Sequence, residues 1–171
     1  MLLYNVKGVT YDGYLQVRVT QGSCVVCALC SPPPSAQPLE KAEMVREGKQ
    51  CTILTYSRMR YVVEQAVKEA VAAGYDPEVI DLISLKPFDQ ASITNSVSKT
   101  HRVIIVEECM RSGGIGASVS SWISENMLED LDHEVVRLSS QDVPTAYAKL
   151  LEDATIVQAK DVLAAIVKVC A

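Results

Sequence analysis

Short β-branched runs alternate with helical periodicity from Leu39 onward, and this alternation is typical of βα units around a mostly parallel sheet. The apolar residues of Val103–Val106 are continuous rather than alternating, which predicts a central strand covered on both faces. The other predicted strands are Cys51–Tyr56, Val79–Ile83 and Glu134–Leu138. The pattern therefore predicts the α/β fold class.

Helical periodicity fills the spaces between these strands. One stripe combines Val62, Val63, Ala66, Val67, Ala70 and Val71, and it ends at Gly74, which suits the left-handed position after a helix. Asp89 is placed to cap a short helix through Ser98. The remaining predicted helices are Ile115–Leu131 and Asp161–Val169.

The first forty residues have a different character. A proline-rich stretch, Ser31–Pro38, predicts an extended and exposed connector, because proline fixes φ and lacks a backbone donor. The chain has 171 residues, which favours one domain with an extension over two domains.

Charge and hydropathy exclude two classes of partner. The net charge is -5 with both signs interspersed, which disfavours binding to nucleic acid. No apolar run reaches the roughly 18 to 20 residues of a membrane span, so no membrane partner is predicted. Met1–Lys7 is too short for a secretory signal and poor in Arg and Ser, so no targeting peptide is visible.

A glycine-rich turn follows the central strand at Gly113–Gly116. Ligands bind at such strand ends in open α/β sheets, and helix N-termini attract anions. The turn is neither a GxGxxG motif nor a P-loop, so a phosphate site is only weakly indicated. The main expectation is a tight turn with Glu107 and Glu108 facing solvent or a neighbouring subunit. Cys109 beside them is a poor nucleophile, because like charge disfavours its thiolate.

Three of the six cysteines, Cys24, Cys27 and Cys30, have part of an iron–sulfur ligand spacing. Ser31 and three prolines stand where the fourth ligand of a ferredoxin run would follow, so an unselected linker is the main interpretation and metal binding the alternative. Cys51 and Cys170 are predicted to be small buried hydrophobes.

His101 and His133 are predicted to be surface residues in polar surroundings. No set of nucleophile, base and orienting group can be assembled from the sequence. We therefore predict no catalytic, cofactor-binding or metal-binding residue in this chain.

Five sequence blocks, in unbroken order, resemble the pyruvate dehydrogenase beta subunit family. They are Leu54–Ser57, Val79–Pro87, Thr100–Glu108, Gly113–Ala117 and Val136–Pro144. The resemblance covers about Leu39 to Val169 and is closest to the plastid and cyanobacterial type. Val9–Pro38 departs from the family, whose connector is shorter and lacks the cysteines and prolines.

The resemblance implies a transketolase C-terminal-type domain. Such a domain has three layers, α/β/α, around a mostly parallel five-stranded sheet with one antiparallel strand. It also implies a division into residues 1–8, a remnant of the end of an upstream pyrimidine-binding domain; residues 9–41, a divergent Cys/Pro-rich linker; and residues 42–171, the C-terminal-type domain.

In the family, a heterotetramer of alpha and beta subunits decarboxylates pyruvate and acetylates a lipoyl group with thiamine diphosphate and magnesium. The resemblance places the activating glutamate in the upstream domain and the diphosphate and magnesium in the alpha subunit. We therefore expect an assembly and docking domain that binds no cofactor and is inactive alone.

The implied partners are the alpha subunit, a second beta subunit and the dihydrolipoyl acetyltransferase core. Candidate interface residues are Glu107, Glu108, Arg111, Asp142, Pro144 and Tyr147, chosen by position. The alternatives are a truncated, non-catalytic interaction module and the same domain of a branched-chain oxoacid dehydrogenase or a deoxyxylulose-phosphate synthase. The resemblance favours a plastid location and leaves the mitochondrion open.

Overall fold

The computed structural model describes residues 41–144 and 146–170, together with the backbone of four short strands near the start of the chain. These strands form two antiparallel pairs, β1 (Thr10–Tyr11) with β2 (Gln16–Val17) and β3 (Val19–Thr20) with β4 (Ser23–Cys24). The proline-rich connector at 31–38, with Cys27 and Cys30, lies outside the described residues.

A five-stranded sheet forms the centre of the domain. Its strands are β5 (Glu43–Arg46), β6 (Cys51–Thr55), β7 (Pro77–Asp81), β8 (Val103–Met110) and β9 (Val136–Ser140). Their order is β5-β7-β6-β8-β9, with β5 antiparallel to β7 and all other pairs parallel. The predicted mostly parallel five-stranded sheet is confirmed.

Helices cover both faces of this sheet. They are α1 (Met59–Ala72), α2 (Gln90–Thr100), α3 (Ile115–Asn126), α4 (Lys149–Thr155) and α5 (Ala159–Cys170). One apolar core joins the sheet to α1 and α5, and a second joins its other face to α2 and α3. Within the described ranges, no helix has the length and apolar character needed to cross a membrane.

The alternation of side chains along the parallel strands explains the two cores. Ile104 faces the α1 and α5 side, whereas Val103 and Ile105 face the α2 and α3 side. All three are at most 1% exposed. The prediction of a central strand buried on both faces is therefore confirmed.

Two local predictions about helix ends are confirmed. The Asp89 carboxylate accepts a hydrogen bond from the Ser92 amide at 3.1 Å and so caps α2. Gly74 follows α1 with a φ of +93°, a value that favours glycine. The prediction that Val71 belongs to the buried stripe is wrong, because it lies further around the helix and is 44% exposed.

Several predicted boundaries are corrected. The helix predicted at Ile115–Leu131 ends at Asn126, and a 3₁₀ turn follows at Leu128–Asp130. The strand predicted at Glu134–Leu138 lies two residues later, and β8 continues past Val106 to Met110. The residue patterning had indicated neither β5 nor α4.

Candidate functional site

The carboxyl ends of β8 and β9 open onto a cleft of about 320 Å³. Its walls are the end of β8 and the glycine turn on one side and the residues after β9 with α4 on the other. Parallel sheets place ligand and partner sites at this edge, because the loops after the strands converge there. The cleft is therefore the candidate functional site.

A network of hydrogen bonds fixes the two loops that border the cleft. The Ser112 amide and hydroxyl both donate to the Asp142 carboxylate, each at 2.8 Å. The Arg111 guanidinium donates to the Arg137 carbonyl at 3.1 Å, and the Arg137 guanidinium returns a bond to the Arg111 carbonyl at 3.0 Å. These reciprocal bonds hold the loops in one arrangement.

The hydrogen bonds from Ser112 also determine the electrostatics of Asp142. Its backbone and side-chain donors lower the pKa of the Asp142 carboxyl below the ordinary value, because they stabilise the charged form. Asp142 is therefore ionised at neutral pH and links the loop after β8 to the loop after β9.

Ion pairs border the cleft on its α4 side. Arg58 lies 3.5 Å from the Glu108 carboxylate and 3.7 Å from that of Glu152. All three side chains are at least one third exposed, so these pairs contribute little to stability. Charges in such positions select partners more than they stabilise the fold.

Large apolar side chains stand exposed beside the cleft. Tyr147 is 106% exposed relative to its reference, Leu150 is 86% exposed and Leu151 is 60% exposed. Three exposed large apolar side chains within five positions are typical of a protein interface. We call Tyr147, Leu150 and Leu151 the α4 patch.

Five of the six predicted interface residues lie at this surface. Arg111, Asp142, Pro144 and Tyr147 are exposed and Glu108 is partly exposed. The structure brings Glu108 together with the loops of Arg111 and Asp142 around one cleft. Whether these residues contact a partner stays a prediction.

The expectation that Glu107 faces solvent or a neighbouring subunit is wrong. Glu107 is 0% exposed, and its carboxylate is enclosed beneath the glycine turn. It accepts hydrogen bonds from the Gly116 amide at 2.8 Å, the Arg137 guanidinium at 2.9 Å and the Ser139 hydroxyl at 2.8 Å. A partner could therefore not contact Glu107 directly, and any effect of Glu107 on binding must be exerted through the residues that surround it.

The same contacts argue against the weakly indicated phosphate site at the glycine turn. The Gly116 amide, at the start of α3, donates to Glu107 and so already has a carboxylate partner. A Cβ at Gly116 would lie 2.6 Å from the Glu107 carboxyl carbon, so the glycine admits this side chain. The turn is built around a carboxylate of the protein itself.

The remaining candidates for chemistry are two cysteines and two histidines in different environments. Cys51 is 0% exposed, and burial raises the pKa of its thiol, whereas Cys109 is exposed. His101 and His133 are both partly buried and bond through Nδ1 to the backbone carbonyls of Asp130 and Glu134. The predicted buried state of Cys51 is confirmed.

Within the part of the chain that the structure describes, no cluster of side chains is suited to hold a metal ion. No group of three or more His, Cys, Asp or Glu side chains converges anywhere in the described ranges. Glu107, the buried carboxylate nearest the cleft, already accepts four donors, including the Tyr56 hydroxyl at 3.3 Å. Of the Cys24 motif, only the backbone of Cys24 is described.

Residue patterning alone missed the groups that organise the site. Arg137, Ser139 and Tyr56 surround Glu107, and Arg58 links two rim carboxylates. The sequence did contain one signal for the buried glutamate. Gly114 and Gly116 follow Glu107 closely, and glycines at such positions leave room for a carboxylate. Nothing comparable in the sequence marked Arg137.

Comparisons with known proteins agree with this architecture. The chain is 63% identical over 132 residues to the pyruvate dehydrogenase E1 component subunit beta-3, chloroplastic, of Oryza sativa subsp. japonica, covering 77% of this chain and 34% of that protein. It is 57% identical over 129 residues to the E1 component subunit beta of Porphyra purpurea, covering 75% and 39%. The chain thus spans well under half the length of these relatives.

A solved structure described as a split gene transketolase, inactive beta4 tetramer, superposes with a TM-score of 0.70 at 28% identity, covering 82% of this chain and 45% of that one. Residues 40–162 match the family described as the transketolase C-terminal domain. The strand order, the two cores and this match lead to one conclusion: the chain belongs to the transketolase C-terminal domain family.

Proposed function

We propose that this chain is the C-terminal assembly and docking domain of a pyruvate dehydrogenase beta subunit. The exposed α4 patch carries the proposal, because exposed large apolar side chains beside a cleft are typical of an interface. The relatives that match over three quarters of this chain are E1 beta subunits.

The proposed partners are the alpha subunit, a second beta subunit and the dihydrolipoyl acetyltransferase core. Exposed Tyr147 and Leu150 supply aromatic and aliphatic anchors, and the rim charges of Arg58 and Glu108 supply specificity. The reaction served by the assembly is the oxidative decarboxylation of pyruvate to acetyl-CoA. Thiamine diphosphate and magnesium belong to the complete enzyme in this proposal.

The proposal includes the division of the chain and its location. Residues 1–8 would be the end of an upstream pyrimidine-binding domain, 9–41 a divergent linker and 42–171 the docking domain. Chloroplastic relatives support a plastid location. The mitochondrion is the alternative location.

The test is capture of purified alpha subunit and of acetyltransferase core by the tagged 171-residue chain, with pyruvate turnover assayed in parallel. We expect capture of at least one partner without turnover. Turnover by this chain and alpha subunit, without an added complete beta subunit, would contradict a docking domain that lacks an active site. Capture of neither partner would contradict the docking role.

Two matched variants locate the surface. Leu150→Ser removes an 86% exposed side chain of the α4 patch, and Leu128→Ser removes a 68% exposed side chain remote from α4 in sequence and outside the cleft. Because anchor residues dominate interface energies, we expect Leu150→Ser to weaken capture roughly tenfold and Leu128→Ser to leave it unchanged. The reverse order would move the interface to the Leu128 side.

A further inference from the structure

Glu107 is a buried carboxylate whose hydrogen-bonding capacity is filled. One carboxylate oxygen accepts from the Arg137 guanidinium and the Ser139 hydroxyl, and the other accepts from the Gly116 amide and the Tyr56 hydroxyl. An ionised carboxylate offers about four acceptor sites. The side chain therefore joins the ends of β6 and β9 to the start of α3.

The glycine turn packs closely against this carboxylate. A Cβ added at Gly114 would lie 2.8 Å from a Glu107 carboxylate oxygen, and one at Gly116 would lie 2.6 Å from the carboxyl carbon. Distances this short exclude any side chain unless Glu107 moves. Glu107 is 0% exposed, so its carboxylate can shift only if the groups that bond to it shift as well.

Arg137 transmits the position of Glu107 to the cleft. The same guanidinium nitrogen that contacts Glu107 also donates to the Arg111 carbonyl at 3.0 Å, in the loop that borders the cleft. The Arg111 amide in turn donates to the Ser140 carbonyl at 3.1 Å. A chain of direct contacts thus runs from the buried carboxylate to both loops of the docking surface.

We infer that Glu107 is the positioning residue of the docking surface, holding the cleft loops in their binding arrangement through Arg137 while touching no partner itself. The inference rests on the proposed docking function. It assigns the glycine turn a role in receiving the Glu107 carboxylate.

A matched buried glutamate separates positioning from general stability. Glu78 is also 0% exposed and bonds to the Gly48 amide, the Ser96 hydroxyl and the Lys99 amine, but it lies near the amino end of β7, away from the cleft. Glu107→Gln and Glu78→Gln each remove one negative charge from a fully buried, hydrogen-bonded carboxylate. Both variants are expected to lower the unfolding temperature.

The two variants should differ in local order and in binding. Backbone amide exchange of Arg111 and Gly116, measured by NMR at a temperature where all variants are folded, should quicken roughly tenfold in Glu107→Gln and stay at the wild-type rate in Glu78→Gln. Capture of alpha subunit or acetyltransferase core should weaken roughly tenfold in Glu107→Gln alone. Equal exchange and equal capture in the two variants would overturn the inference.

Arg137→Lys is a milder second variant. If Glu107→Gln does not fold, Arg137→Lys still tests whether the contact between Glu107 and Arg137 positions the cleft loops. It keeps the charge but replaces the forked guanidinium, so we expect intermediate exchange rates at Arg111. Wild-type exchange in Arg137→Lys would overturn the inference. If the wild-type chain captures no partner, the proposed function fails, and the exchange rates still decide whether Glu107 positions the loops.

Discussion

The two edges of the central sheet each contain one fully buried glutamate, and the two are held differently. Glu78, near the amino end of β7, pairs with Lys99, whose side chain is 45% exposed. Glu107, at the carboxyl end of the parallel strands, pairs with Arg137, whose side chain is 15% exposed. The amino-edge pair reaches water on one side, whereas the carboxyl-edge pair is almost enclosed.

A glycine approaches each glutamate, but with different neighbours. At Gly48 a Cβ would lie 2.4 Å from the Pro77 backbone, and at Gly116 it would meet the Glu107 side chain. The amino edge is thus closed by backbone against backbone, and the carboxyl edge by backbone against one carboxylate. This difference makes the carboxyl edge the part whose shape depends on a single side chain.

The largest expected effect tests the backbone contact at the amino edge. Gly48→Ala forces a methyl group into the Pro77 backbone and should cost about 3 kcal/mol of unfolding free energy, whereas Gly116→Ala should cost about 2 kcal/mol because a side chain can shift more easily. Urea unfolding followed by Trp122 fluorescence measures both.

Gly74→Ala is the control for these substitutions. A Cβ there would meet nothing within 4 Å, and the strain of its positive φ should cost about 1 kcal/mol. If Gly48→Ala costs no more than Gly74→Ala, the close approach at the amino edge has no energetic weight.

The second prediction compares the losses of stability when Arg137 or Lys99, the cations that pair with the two buried glutamates, is replaced. Arg137→Gln leaves the buried Glu107 charge without its partner and should cost about 3 kcal/mol. Lys99→Gln should cost about 1 kcal/mol, because removal of a half-exposed lysine lets water reach Glu78. Thermal unfolding of both variants at one salt concentration gives the comparison, and equal losses would refute the proposed difference in enclosure.

The third prediction concerns thiols at the two edges. Cys51 begins β6 and is 0% exposed, whereas Cys109 lies exposed near the end of β8. Burial raises the pKa of the Cys51 thiol, so iodoacetamide should modify Cys109 at least about tenfold faster. Peptide mapping by mass spectrometry separates them, and the two rates should converge in denaturant. Rapid modification of Cys51 in the folded chain would contradict its burial.

The sequence predicted the elements that have a clear hydrophobic period. The runs of β6, β7 and β8 and the stripes of α1 and α5 are apolar where the cores require it. β5 has four residues at a sheet edge, and α4 has seven residues with exposed leucines. Neither has an apolar period, because neither buries a full face, and so the residue pattern could not reveal them.

The exposure of the candidate interface residues could be predicted from the sequence, whereas the buried contacts beneath them could not. Arg111, Asp142 and Tyr147 lie in loops after strands, where the sequence alone predicts exposure. The burial of Glu107 depends on Arg137 and Ser139, which lie 30 and 32 positions later and meet it only in the folded sheet. Contacts between residues so far apart in the sequence cannot be predicted from the pattern of neighbouring residues.

The smallest expected effect concerns the outer contact of the carboxyl edge, between Ser112 and Asp142. Because the folded pKa of Asp142 is lowered, the contact contributes fully above the unfolded pKa and is lost as pH falls through the folded one. Carboxyl ¹³C NMR should show that the pKa of Asp142 is below the ordinary aspartate value in the wild type and closer to it in Ser112→Ala. An Asp142 pKa at or above the ordinary aspartate value in both proteins would mean that Ser112 does not hold the loop in solution. The order of the cleft would then depend on Glu107 and Arg137, the buried part of the same edge.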